Sequence, residues 1–202
     1  MYREEWETAA NLANDVINTG TYQLSSDYTF YDKATSEDVF TIINTSDDGQ
    51  DANIGLSEFF NPVQAGGRGD APYSENLLEA YDQLVDRRFI DLNQEGRDAA
   101  RETSIFTSKF PDGENRSDNI RIIRITEMYL IRAEANLRNG TAIGADPLDD
   151  INLLRNRAGL SDLTTITTDD ILIERRKELA FEGHRRMDLL RYKKSLRRPG
   201  MD

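Results

Sequence analysis

The sequence predicts a mainly α fold: tetratricopeptide-like helical hairpins with long loop excursions and a few short strands. Three observations predict it. Apolar residues recur at three- and four-residue spacing in 3–18 and through most of 120–194. Helix punctuation stands at Gly20, Gly140, Asp146-Pro147 and Gly159. Between the two periodic regions, 21–118 is turn-rich, with only short β-branched or apolar runs.

The elements follow in order. Residues 3–18 read as a helix with Trp6, Ala9, Ala10, Ala13, Val16 and Ile17 on one stripe. Gly20 is its stop, and Trp6, the single tryptophan, is expected in the core. No capping residue precedes Tyr2, which suits a chain that begins inside a longer sequence. Residues 22–40 form a loop with scattered aromatics, Tyr22, Tyr28, Phe30, Tyr31 and Phe40. Residues 39–45 (VFTIINT) predict a strand, and 46–55 a turn. The 59–73 stretch, with Pro62, Gly66, Gly67, Gly69 and Pro72, predicts no regular structure. A loop of that length in a compact domain is commonly functional.

Residues 74–85 predict a helix capped by Ser74, with Leu77, Leu78, Tyr81, Leu84 and Val85 on one face. The polar stretch 86–118 offers one strand, at 105–110. A helix over 120–139 ends at Gly140. Asp146 caps the next, Pro147 takes its first position, and Gly159 stops it. Residues 167–170 (TTDD) resemble a capping box, with Asp in the usual Glu or Gln place, ahead of a long helix to about Lys194. Ala133, Ala135 and Gly140 are small residues suited to close helix approach. Gly183, inside the last predicted helix at about 1 kcal/mol against Ala, suggests another element packed closely there.

Composition narrows the function. A chain of 202 residues can bury a core without covalent staples. The net charge of −12 disfavours nucleic acid as the main partner and docking on anionic lipid. The 169–202 end holds ten Lys/Arg against seven Asp/Glu and reads as a solvated helix face. The absence of Cys excludes disulfides, thiolate metal sites and Cys nucleophiles. No apolar run reaches membrane-spanning length, and the acidic amphipathic start is no signal peptide. The protein is therefore cytosolic, or its export signal lies outside this sequence.

Few residues suggest reaction chemistry. His184, the only histidine, has no Ser-His-Asp spacing or metal-ligand cluster around it. Glu178, Glu182 and Asp188 invite a glycosidase reading, but they alternate with Arg185 and Arg186 as structural ion pairs would, Glu182–Arg186 in the favourable order. Arg155 and Arg157 with Asp149 and Asp150 suggest a charge network of a helix pair. Asp47, Asp48 and Asp51 around Gly49 partly match a calcium loop but lack EF-hand spacing. The expectation is no catalytic residue, no metal and no cofactor. The aromatic loops remain. Sugar rings have apolar C–H faces on which aromatic rings stack, while amides and charged groups reach the hydroxyls. Phe59, Phe60, Asn61, Arg68 and Tyr73 are the candidate ligand surface; Tyr28, Phe30 and Tyr31 lie in a second aromatic loop. Such aromatics serve either as ligand platforms or as satellite core.

Several segments together resemble one family. YLIRAEANLRNG, INLLRNRAGL and ERRKELAFEGHRRMDLLRYK occur in its order and spacing, the last being the specific one. WETAANLANDVINTGTYQL, VFTIINT and YSENLLEAYDQLVDRRF match its upstream elements. The family is that of the SusD/RagB-like glycan-capture proteins of Bacteroidota-type bacteria. The resemblance implies a non-enzymatic, lipid-anchored protein of the outer-membrane surface. It would bind an oligosaccharide or other nutrient and pass it to a TonB-dependent, SusC-like transporter. It favours the 59–73 loop as the ligand surface. It also implies that this sequence is the C-terminal part of a longer protein, the anchor lying elsewhere. Within one domain, 1–20 and 119–195 would be scaffold and 21–118 the excursion. The alternative, a tetratricopeptide-like scaffold for protein–protein interaction, calls for a regular 34-residue repeat, which the sequence lacks.

Overall fold

A computed structural model describes residues 1–32, 34–48 and 55–196. In chain order the elements are α1 (Trp6–Asn18), β1 (Asp38–Ile42), α2 (Leu56–Phe60), α3 (Glu75–Leu78), α4 (Arg87–Ile90), β2 (Asn93–Arg97), β3 (Thr103–Thr107), β4 (Ile120–Arg124), α5 (Ile125–Asn139), α6 (Pro147–Arg157), α7 (Thr168–Glu178) and α8 (Arg185–Arg191). Single 3-10 turns occupy Thr29–Asp32 and Val63–Ala65. The fold is mainly α, with tetratricopeptide-like helical hairpins, short strands and long excursions.

Helix α5 is the centre. On one side Ala135 meets Ala9 and Ala10 of α1, and these small side chains let the two backbones approach. On the other, Leu130 and Ala133 join Ile151 and Leu154 of α6, Ile171 of α7, and Leu179 in the main core. Each connection is set by side chains. Asn136 bonds both the amide and the carbonyl of Ile143 and so shapes the α5–α6 loop. Asn152 does the same with Leu163 before α7. Asp146 accepts from the Leu148 amide with Pro147 behind it, and Thr167 and Asp170 close a capping box.

The sequence expectations fail in five places, each for a local reason. Residues 120–124 are strand, not helix. Ile120 pairs with Ile42 and Ile123 with Phe40 in an antiparallel ladder, and the Ile125 amide donates to the Glu37 carbonyl, so helix begins only there. The predicted 74–85 helix stops after Leu78. The Asp82 carboxylate accepts from the Leu84 amide, Asp86 starts α4, and Leu84 is 90% exposed. Residues 93–107 form the β2–β3 hairpin, whose first strand (NQEGR) carries no apolar alternation. The 59–73 stretch includes the end of α2 and a 3-10 turn.

The last predicted helix is two, α7 and α8, broken between Leu179 and His184. Phe181 has φ of 66° and Gly183 φ of 84°, left-handed values that end an α-helix. No atom approaches Gly183 within 4 Å on its Cβ side, so the glycine serves the turn rather than a close contact. Gly140 likewise has open space and φ of 67°, and acts as a helix cap. Trp6 is half-buried, its ring 4.9 Å from the Arg138 guanidinium.

Candidate functional site

The site is built on charge. Helix α7 presents Glu174, Arg175 and Glu178 to the interior, all buried. Within the basic C-terminal end Arg175, Lys177 and Arg191 are thus drawn into the interior, whereas Arg186, Lys193 and Lys194 stay solvated. Glu174 receives Arg88 at 2.6 Å and Arg155 at 2.7 Å. Glu178 receives Arg157 at 2.7 Å and the Tyr28 hydroxyl at 3.2 Å. Glu182, in the turn after α7, receives Lys109 at 2.6 Å, Arg124 at 2.9 Å and the Tyr31 hydroxyl at 3.0 Å. Glu37 accepts from Arg124, Thr126 and Arg157. Arg175 crosses to Asp188 of α8, and Arg191 ties α8 to Glu134 of α5. The expected Arg–Asp network within one helix pair is thus replaced by longer links, with Asp150 taken by Arg132 at 2.6 Å.

This network removes the glycosidase reading of Glu178 and Glu182. Burial alone would raise both carboxyls. Arg157, Arg124 and Arg88 outweigh it at Glu178, and Arg124 and Lys109 at Glu182, so both are held below the usual range. Neither can donate a proton at neutral pH. Glu182 pairs across the fold rather than with Arg186. His184 Nδ1 stands 3.4 Å from Glu127. Among the described residues no His, Asp and Glu group is placed to hold a metal ion; Gly49 and Asp51 of the calcium-loop reading lie outside them.

Above the network lies a groove of about 400 Å³, lined by Leu56, Phe60, Phe110, Ile120, Ile122, Phe181 and Met187, with Tyr2, Tyr31, Asn119, Arg121, Glu182 and His184 at its polar points. The Phe60 ring stacks on Phe110 at 5.2 Å and meets the edge of Phe181 at 5.5 Å. Phe181 stands in a conformation rare for a bulky residue. Lys109 helps to fix it, donating to the carbonyls of Glu178 and Ala180 on the approach to the turn. Tyr31 and Asn119 connect the groove to a smaller polar pocket of about 240 Å³ with Asp112, Ser117 and Asp118.

The five candidate loop residues divide. Phe60 lines the groove. Phe59, next to it on α2, turns elsewhere and carries the Arg68 guanidinium at 5.2 Å, itself paired with Asp70 at 2.6 Å. Asn61 is buried, and its Oδ1 accepts from Gln94 at 3.1 Å. A Cβ on Gly67 would lie 2.0 Å from the Asn61 carbonyl oxygen, so only glycine fits that crossing. Tyr73 is core, packed edge-on against Tyr81, Phe89 and Phe181. Tyr28, Phe30 and Tyr31 form a second buried cluster with Leu92, of which Tyr31 reaches the groove. Phe110, Phe181, Ile120 and Ile122 are not among the candidates the sequence offers. Phe181 sat inside an expected helix, and no local pattern links 60, 110 and 181.

Comparison with known proteins gives a consistent picture. The model of the SusD family matches residues 93–200, more than half of the chain. The starch-binding protein SusD of Bacteroides thetaiotaomicron is 40% identical over 75 residues, 37% of this chain and 13% of that protein. A solved surface glycan-binding protein A from Bacteroides fluxus superposes with a TM-score of 0.76 at 26% identity, over 96% of this chain and 50% of that one. A second, from Bacteroides thetaiotaomicron in complex with laminarihexaose, gives 0.78 at 23%, over 96% and 52%. The chain spans about half the length of these solved relatives.

Proposed function

Because the chain belongs to the SusD family, we propose that it acts in cell-surface glycan capture, binding an oligosaccharide without turning it over and passing it to a TonB-dependent outer-membrane transporter. In this reading 1–20 and 119–195 are scaffold, 21–118 is the excursion that brings Tyr31, Leu56, Phe60 and Phe110 to a groove walled otherwise mostly by 119–187, and a lipid anchor holds the full-length protein at the outer membrane. The observation that carries the reading is the groove. It is concave and mostly apolar, with few polar groups, as ligand sites are. Its wall is an aromatic ring, Phe60, held by two others. A flat ring fixed this way meets a sugar face with little entropy left to lose. Of the five loop residues, Phe60 is then the platform, Phe59 and Arg68 flank it, and Asn61 and Tyr73 hold the loop in shape. The laminarihexaose bound by a relative of the same fold supports a glycan as ligand.

The test is affinity electrophoresis and calorimetry against laminarin, starch, xylan and other polysaccharides. Phe60→Ala should weaken binding about tenfold, the value of one aromatic stack, with a melting curve confirming the fold. Unchanged affinity in a folded Phe60→Ala protein would remove this groove as the site.

A further inference from the structure

We infer that the groove takes a neutral glycan and rejects one bearing carboxylate or sulfate groups. The inference rests on the glycan reading above and concerns the charge of the ligand. Every described side chain at the groove that can carry a positive charge is already engaged. Arg121 donates to three oxygens among the described partners: its Nε to Asp38 at 2.9 Å, and its terminal nitrogens to the carbonyls of Tyr31 at 3.1 Å and Phe30 at 2.9 Å. Beneath the groove, Arg124 and Lys109 both point to Glu182. His184 turns its Nδ1 to Glu127. The exposed side chains of the rim are Tyr2, Ile122 and Met187, without charge. The adjoining pocket adds Asp112 and Asp118 and, among its described residues, no cation.

An acidic sugar entering this groove would exchange water for apolar walls and approach two carboxylates, with no free donor of positive charge among the described residues to compensate. A neutral sugar loses little on the same path. Its ring meets Phe60, and its hydroxyls can reach the Asn119 amide and the carboxylates, which accept hydrogen bonds.

The experiment compares laminarin, starch and xylan with polygalacturonate and chondroitin sulfate at pH 7.5, using the whole chain. The expected result is binding of at least one neutral glycan, with the acidic polymers weaker by more than about tenfold. Acidic binding equal to or tighter than neutral overturns the inference while the glycan reading stands. Binding to neither kind fells the glycan reading, and this inference with it. Ile122→Lys, a change at an exposed rim position, supplies the missing cation. It should raise polygalacturonate affinity at least several-fold, reversibly by added salt. No gain, in a variant whose melting curve shows it folded, would show that charge does not set the ligand class.

Discussion

The helical region from α5 to α8 and the segment between α1 and β4 are stabilised in opposite ways. The helices are specified locally. Asp146, Thr167, Gly140 and Gly159 begin and end them, and Leu130, Ile151, Leu154 and Ile171 pack at helical spacing. The excursion is built of helices and strands of four or five residues, too short to persist alone. Distant partners hold it: Arg88 on Glu174, Tyr81 on the Lys177 carbonyl, Lys109 on Glu182 and Tyr28 on Glu178. The surface that α7 offers to the excursion is charged rather than apolar. Two regions of one fold can thus be joined by ion pairs sealed from water, an arrangement that makes few demands on local pattern and strong ones on partner identity.

That contrast can be tested at several strengths. Acid should give the largest effect, because it acts on the whole junction. Glu174, Glu178 and Glu182 titrate below the usual glutamate range when folded. The unfolded chain therefore takes up protons first, and stability present above about pH 4.3 is lost as pH falls. Asp118 and Asp150, raised by burial, oppose this but have fewer cationic neighbours. Urea midpoints should be nearly flat from pH 7 to 6 and fall steeply below about pH 5; a midpoint unchanged at pH 3 would contradict the ionic junction.

Arg124→Ala comes next. It leaves Glu37 and Glu182 buried beside an empty place, and should remove about 3–5 kcal/mol of stability in urea titration. Leu154→Ala, in the middle of the helical core, should cost about 2–5 kcal/mol. It should act equally at pH 7 and pH 5.5, since no charge is involved. Thr167→Ala opens the capping box for about 1 kcal/mol, seen as a small drop in melting temperature. Leu84→Ser, at a residue almost wholly exposed in the excursion, should change stability by less than about 0.5 kcal/mol. A larger loss there would mean that the Asp82 turn depends on that leucine.

The same contrast explains what could be read from sequence. The helix starts at Pro147 and Thr168, and the stops at Gly140 and Gly159, follow from side chains within a few residues of each end. The break at Phe181 is hard to read locally: Gly183 suits a close packing contact as well as a turn, and a left-handed phenylalanine has no sequence mark. Its neighbours Glu182 and Arg185 continue a helical charge pattern, while the ring answers to Phe60 and Tyr73 far along the chain. β2 is not legible in sequence because NQEGR owes its strand to pairing with 103–107, not to its own residues. Residues 120–124 read equally as helix or strand because isoleucine spacing there suits both periods, and only β1 decides. At the site, Phe60 could be picked out as a loop aromatic, whereas Asn61 and Tyr73, of equally suitable type, proved to be buried.

The β1–β4 ladder has a consequence for how this protein can be altered. By pairing Ile42 with Ile120 it brings the chain back to where it left, so everything between forms a cassette with adjoining ends. Lengthening such an insert is mild, about 0.6 kcal/mol for each doubling. An insert exchanged for a new recognition surface has contacts to restore, the packing of Phe60 and Tyr73 on Phe181 among them. Any replacement has to return two cations to the places now held by Arg88 and Lys109, because Glu174 and Glu182 stay behind in the helical half to meet them.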